Sequence, residues 1–347
     1  MVAGLGLALA VFVASCGGSQ QGTTTTTQAG ATTTGAATSE TATTNAVVTL
    51  NAVSFLPTSH PLTGTLKDWI AAVDQATQGT VKINWKGGPE VIPAMDQIEA
   101  VRNGVVDINF NVTAYYENLN PALRASSLSP FEPWEERENG VFDFLQREHE
   151  KVGVVYVGRW MGDLPFYVFI NKPITSPDEL KGMSLRTRAQ YDRFFKALGA
   201  SAVSIDQGEV YTALERGIIQ GFGWPMLGVK DAGWDTKAKY VIDHGFYKAN
   251  NAVILFNPKS WEKLSQSQRD AISQATADYE KNMMVPYDQK AQEEERQKLT
   301  QDGVTFIKFS PADADRYVNL AYKVEWDNLE KEVPDKFAEI KTLFNIK

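Results

Sequence analysis

The chain has 347 residues, 43% hydrophobic and 22% charged, enough apolar material for two packed domains and unlike the composition of disordered, collagenous or coiled-coil chains. With 34 Lys+Arg against 42 Asp+Glu its formal net charge is -8, so the broad basic field that nucleic-acid affinity rests on is missing and nucleic acid is not an expected partner. One cysteine, Cys16, and three histidines, His60, His149 and His244, exclude an internal disulfide, a Cys-rich zinc site and an iron–sulfur cluster, leaving carboxylates, arginine, hydroxyls and aromatics for any chemistry.

Val2 to Ala14 is apolar or glycine throughout. That is the length of a secretion-signal core and too short to span a bilayer as a helix. It ends Val13-Ala14-Ser15-Cys16, which resembles the lipobox of bacterial lipoproteins, an aliphatic residue and two small residues before a lipidated cysteine. No Lys or Arg precedes Val13, a departure from the usual signal. Residues 17–46 hold 12 threonines and a single charge, Glu40. Such a segment buries too little apolar surface to offset its ordering entropy and reads as a disordered tether. As a flexible coil it would span roughly 30 Å. Residues 1–16 are therefore expected to serve export and lipid anchoring to the membrane on the extracytoplasmic side, and 17–46 to give reach.

The rest reads as alternating strands and helices. Val47 to Val53 is β-rich and is followed, past Pro57 and Pro61, by an amphipathic stretch from Leu62 to Thr77 with Leu66, Trp69, Ile70 and Val73 at helical spacing. Gly79 stops that helix. A strand over Val81–Trp85, a helix over Met95–Arg102 and a strand over Val105–Val112 complete a β-α-β-α-β unit, which implies a parallel sheet with helices on its faces. A helix over Phe142–Lys151 and strands over Val152–Val157 and Phe166–Ile170 follow. A second block repeats the pattern: a short strand at Leu185, a helix over Tyr191–Leu198, a strand over Ala202–Ile205, a helix over Val210–Arg216 and a strand over Gly221–Trp224. Ala252–Phe256 is a late strand that can return to the first lobe. Ser265 to Asp302 is polar and helix-forming, interrupted only by Pro286, which should kink it. At 1.5 Å per residue it would measure about 57 Å, enough to touch both lobes. No Pro/Gly/Ser linker separates the blocks, so strand crossings are expected to join them.

Ser176-Pro177-Asp178-Glu179-Leu180-Lys181-Gly182-Met183-Ser184-Leu185-Arg186 is capped by Ser176, has Pro177 in its first turn and acids against the helix dipole, and is released by Gly182 into a strand carrying Arg186. An arginine so placed is a preorganised donor fork for a carboxylate, or equally the partner of an internal acid. With Lys196-Ala197-Leu198-Gly199-Ala200, Gly208 to Gly217, Gln220-Gly221 followed by Pro225, Gly104-Val105-Val106-Asp107 and Asn257 to Leu264, this motif resembles the extracytoplasmic solute receptors of TRAP transporters, of the dicarboxylate and sialate type. The resemblance covers nearly all of 47–347.

It implies an α/β, two-lobed periplasmic binding protein-like fold with parallel-rich sheets, flanking helices, strand hinges and a lobe-spanning helix. Residues 47–157 with 251–285 would form one lobe, and 158–250 with 286–347 the other. It also implies that Arg186 holds the carboxylate of a small organic acid and that the loaded protein is read by TRAP permease membrane subunits; no cofactor is expected, and no spacing of carboxylates demands a metal. Phe166 stands where sialate-type members carry a second substrate arginine. Gly223 replaces an acid that in some relatives links the arginine to a histidine near the place of His244. Phe166, Trp160, Phe222 and Trp224 then offer apolar faces beside a single expected cation, suited to an aromatic or otherwise apolar acid. From the first lobe, His60, Thr113 and Tyr115 lie at carboxyl ends of strands, where ligands of open α/β sheets bind, and Glu90 follows Pro89 nearby.

A secreted enzyme acting on a small acid is the competing class, with presentation of the ligand to an ABC permease or sensor kinase a third. The chain holds no Gly-x-Ser-x-Gly elbow, no His-Glu-x-x-His and no glycine-rich phosphate loop, so no catalytic residue is assigned.

Overall fold

Strand pairing divides the molecule into two sheets. The computed structural model describes residues 47–248 and 252–346; the signal segment, Cys16 and the tether lie outside them. The strands are β1 (Val48–Ser54), β2 (Val81–Gly87), β3 (Ile108–Val112), β4 (Val155–Met161), β5 (Phe166–Ile170), β6 (Ser184–Thr187), β7 (Ser201–Ser204), β8 (Gly221–Pro225), β9 (Tyr240–Phe246), β10 (Ala252–Phe256) and β11 (Thr305–Ile307). One sheet has the order β2-β1-β3-β10-β4 and the other β11-β9-β5-β8-β6-β7.

Both sheets are mixed. β1 runs parallel to β2 and β3, β6 to β7 and β8, and β11 to β9. The antiparallel members are β10, between β3 and β4, and β5, between β8 and β9. These two strands enter directly from the opposite lobe, β5 straight after β4 and β10 after β9. Parallel neighbours need a long crossover, usually helical, and a strand that simply passes across has none. The expected strand hinges are therefore also what breaks the expected parallel character.

The helices are α1 (Leu66–Ala76), α2 (Gln97–Arg102), α3 (Pro133–Asn139), α4 (Val141–Val152), α5 (Ala189–Ala197), α6 (Val210–Glu215), α7 (Pro258–Glu262), α8 (Gln266–Tyr279), α9 (Val285–Gln301), α10 (Pro311–Glu332) and α11 (Pro334–Leu343). α8 begins with a capping box between Ser265 and Gln268, and α5 buries Tyr191, Phe194 and Phe195 on one face.

From Gln266 to Gln301 the chain stays helical, with a π-helical stretch at Glu280–Met284 directly before Pro286. Pro286 has no N–H to donate, and the wider i→i+5 turn upstream takes up the disturbance. On the first lobe, α8 packs on α1, where the Trp69 indole donates to Thr276 Oγ1 at 3.0 Å. On the second, Arg296 forks onto Asp243 at 2.8 and 2.6 Å. The long helix thus bridges the lobes, as its length suggested.

Other expectations need correction. β4 runs on to Met161 instead of stopping at Val157, because Arg159, which interrupts the apolar run, is buried and paired with Glu136 at 3.0 and 2.7 Å. The C-terminal residues do not stay with the second lobe. α10 contacts both lobes, Arg193 to Glu325 at 3.0 Å and Arg124 to Glu332 at 2.6 Å. α11 then packs into a first-lobe core, with Ile340 and Phe344 in the cluster of Val53 and Phe144. The sequence reading did not foresee β9, β11 or these two helices. Among the described residues no helix is long and apolar enough to cross a membrane.

Candidate functional site

The capped turn Pro177–Leu180 forms as its residues suggest, with Ser176 and Glu179 completing a reciprocal box, and delivers the chain into β6. Arg186 is paired in register with Val203 of β7 and Phe222 of β8, so its backbone is fixed on both sides. Only 2% of it is exposed. Its Nε donates to the Ile205 carbonyl at 3.1 Å, and Nη1 donates to the Tyr191 hydroxyl at 2.5 Å and more weakly to the Gly223 carbonyl at 3.4 Å. Tyr191 in turn donates to the Gly223 carbonyl at 2.8 Å.

All three partners are neutral oxygens, and no carboxylate pairs with this guanidinium among the described residues. A buried charge without a counter-ion is costly unless an anion reaches it. Nη2, left without a protein acceptor among the described residues, is the edge available to one.

Gly223 makes this arrangement fit. A Cβ there would stand 2.7 Å from the Tyr191 ring and 3.0 Å from Phe195. The glycine noted as a departure thus lets Tyr191 approach, and its carbonyl serves as the acceptor.

Arg186 faces a cavity of about 90 Å³ between the lobes. Trp224 flanks it, its ring centre 5.4 Å from the guanidinium carbon, and Phe166 and Pro225 continue the second-lobe wall. From the first lobe come Phe55, Leu62, Val112, Ala114 and Tyr115, and Met161 from the end of β4. Phe55 meets Tyr115 edge-on at 5.4 Å. Burial raises the Tyr115 phenol above its ordinary value, against the pull of Arg188 and Arg186, so it stays a hydrogen-bond donor.

Four expected residues, Arg186, Trp224, Phe166 and Tyr115, therefore share one cavity. His60 stands just outside it, bonding across the lobes to the Gln207 side chain at 3.1 Å, and Gln207 lines the wall. Thr113 is fully buried, with its hydroxyl lacking a partner among the described residues, while its neighbours Val112 and Ala114 reach the cavity.

The remaining residues lie elsewhere. Phe222 shares a strand face with Trp224 but lies two residues deeper, stacked on Phe169 at 4.9 Å and covered by Trp234. Trp160 backs the wall: its indole donates to the Asn111 carbonyl at 3.1 Å, and its ring meets Phe55 edge-on at 5.5 Å. Glu90 is exposed and closes its own turn by accepting from Gly88 N at 2.7 Å. His244 accepts from Phe309 N at 2.9 Å and stacks on that ring, away from the cavity.

The expectation of a single cation also needs correction. Arg188 lines the cavity, paired with Asp206, as do Gln190 and Gln207. Two positions beyond Arg186 on an extended chain, Arg188 shares its side, an alternation that was readable in the sequence.

A family model described as DctP, bacterial extracellular solute-binding protein, family 7, matches residues 52–332. The chain belongs to that family. It is an extracellular solute-binding protein, a receptor for a solute. A monocarboxylate 2-oxoacid-binding periplasmic protein of Nostoc sp. is 23% identical over 269 residues, covering 75% of this chain and 72% of that one. A TRAP periplasmic solute binding protein from Desulfovibrio salexigens with bound orotic acid superposes with a TM-score of 0.73 at 20% identity, covering 86% and 97% of the two chains. One from Ralstonia eutropha H16 with bound (S)-2-acetolactate gives 0.68 at 22% identity, covering 86% and 99%. These likenesses at low identity establish the shared two-lobed fold.

Proposed function

We propose that this receptor captures a small monocarboxylate with an apolar body, holds its carboxylate on Arg186, and closes its lobes around it. The observation that carries this reading is a buried guanidinium with neutral oxygens on one side and a mostly apolar cavity on the other. Trp224, Phe166, Phe55 and Tyr115 cover the rest of the ligand from both lobes. Contacts from both sides are what allow a ligand to favour the closed form, since closure can be driven only by differential affinity.

The cavity of about 90 Å³ is smaller than the roughly 150 Å³ in which benzene is held, which favours a short-chain acid. Gln207, Arg188 and the Tyr115 hydroxyl supply donors for a second oxygen, such as the keto group of a 2-oxoacid, the class named for the Nostoc relative. The loaded form is then read by TRAP permease membrane subunits. Cys16, behind its apolar run, supports lipid anchoring of the mature chain, with 17–46 as the leash.

A thermal-shift and calorimetric screen over short aliphatic, 2-oxo and aromatic acids tests this reading. A ligand at 100 times its dissociation constant should add about 2.7 kcal/mol of stability. The ligand should be recovered chemically unchanged. Failure of every monocarboxylate in the screen to bind sinks the reading. Mass spectrometry of the mature N-terminus decides the lipid on Cys16.

A further inference from the structure

We propose that Asp206 restricts the site to monoanions by occupying Arg188, the second guanidinium at the cavity, and that removing this carboxylate admits dicarboxylates. The inference deepens the function proposed above and rests on it.

Arg186 and Arg188 both line the cavity but differ in their electrostatic surroundings. Arg186 sits in β6 with no carboxylate partner among the described residues. Arg188 follows β6 in extended conformation, φ -136° and ψ 161°, immediately before α5, and its Nη2 is engaged by Asp206 Oδ1. Two guanidiniums and one carboxylate leave one uncompensated positive charge facing the cavity. One carboxylate on the ligand balances it.

The second carboxylate of a diacid would approach Arg188 and meet Asp206 already there. Juxtaposed like charges are unfavourable, and Arg188, already engaged by Asp206, is not free to offset the second one. The fold does not depend on Asp206. Its side chain is 78% exposed, and although it precedes the turn Gln207–Glu209 it makes no capping bond there. The next residue, Gln207, itself lines the cavity, so the segment that carries Asp206 belongs to the wall.

Calorimetric titration of the whole mature protein with two matched pairs, butyrate with succinate and 2-oxopentanoate with 2-oxoglutarate, tests the proposal. Wild type is compared with Asp206→Asn and with Asp206→Asn/Arg188→Met, each first shown to unfold cooperatively. Wild type should prefer the monoacid of each pair it binds. In Asp206→Asn the diacid should gain about tenfold or more relative to its monoacid, and the double variant should lose that gain.

A ratio in Asp206→Asn within about threefold of wild type overturns the inference, as does a gain that survives loss of Arg188. So does a wild type that takes diacids as readily as monoacids. Binding of neither monoacid nor diacid by wild type overturns the underlying assignment of function, and this inference with it.

Discussion

Tyr191 braces Arg186: its hydroxyl accepts from Nη1 at 2.5 Å while donating to the Gly223 carbonyl at 2.8 Å, and its ring lies against Phe166 with centroids 5.4 Å apart. The guanidinium is thus oriented before a ligand arrives, which lowers the ordering cost of binding.

Tyr191→Phe keeps the ring and removes the brace. An unbraced side chain must be ordered on binding at a cost of about 0.5–1.5 kcal/mol, so affinity for the carboxylate should fall about twofold to tenfold. Calorimetry alongside thermal unfolding separates the two effects. Lower stability with unchanged affinity would reduce Tyr191 to a packing residue.

Trp224→Leu removes the indole face beside Arg186 and the bond from its Nε1 to the Leu227 carbonyl at 3.2 Å. A desolvated cation–π contact contributes about 2 kcal/mol, and the ligand loses a wall as well. The expected outcome is a weaker complex, seen in stopped-flow traces mainly as faster dissociation. An unaltered dissociation rate would show that the ligand does not rest on Trp224.

His60 ties the lobes together in one protonation state. Its Nδ1 accepts from Leu62 N at 3.1 Å, which requires that nitrogen to be unprotonated, and its Nε2 meets the Gln207 amide nitrogen at 3.1 Å across the lobes. Burial lowers the His60 pKa to about 4 from its ordinary 6.5, against the opposing pull of Asp231. With the folded value depressed below that of the solvated ring of the unfolded chain, folding expels a proton between those limits. Stability relative to His60→Asn should therefore be full above pH 6.5 and fall as pH drops toward 4. A stability difference that stays constant over that range in calorimetric melting would contradict the burial of His60.

Glu325 gives the opposite pH dependence, in stability. Its Oε2 accepts from Arg193 at 3.0 Å, while Oε1 is buried without a partner among the described residues. Burial pushes its carboxyl up to about 7, opposed chiefly by Arg193. Because the folded value lies above the unfolded 4.5, this contribution is complete below 4.5 and lost as pH rises through 7. The stability of Glu325→Gln relative to wild type should therefore improve between about pH 5 and about pH 8. Calorimetric melting at both pH values measures it, and a constant difference would contradict the assignment.

The periodic signals that carried most strands and helices in the sequence are local, and the capped turn before Arg186 is local too. What sequence alone did not reveal depends on tertiary contact. Arg159 reads as the end of a strand until Glu136 is known to meet it inside. Alternation puts Arg188 on the side of Arg186, but only the cavity between the lobes shows that both line one site. Phe222 and Trp224 obey one alternation and both meet Trp234, and only the stack on Phe169 sets the first in the core while the second lines the cavity. The antiparallel entry of β5 and β10 follows from how two lobes share a chain, which no single window of sequence contains.

Titration calorimetry of Arg186→Ala against wild type, using the tightest monocarboxylate the wild type binds, tests the central claim most directly. The account predicts a loss of about 2–5 kcal/mol, roughly thirtyfold to several thousandfold, with the variant still folded. A loss smaller than about tenfold would contradict it, because the carboxylate would then be held elsewhere.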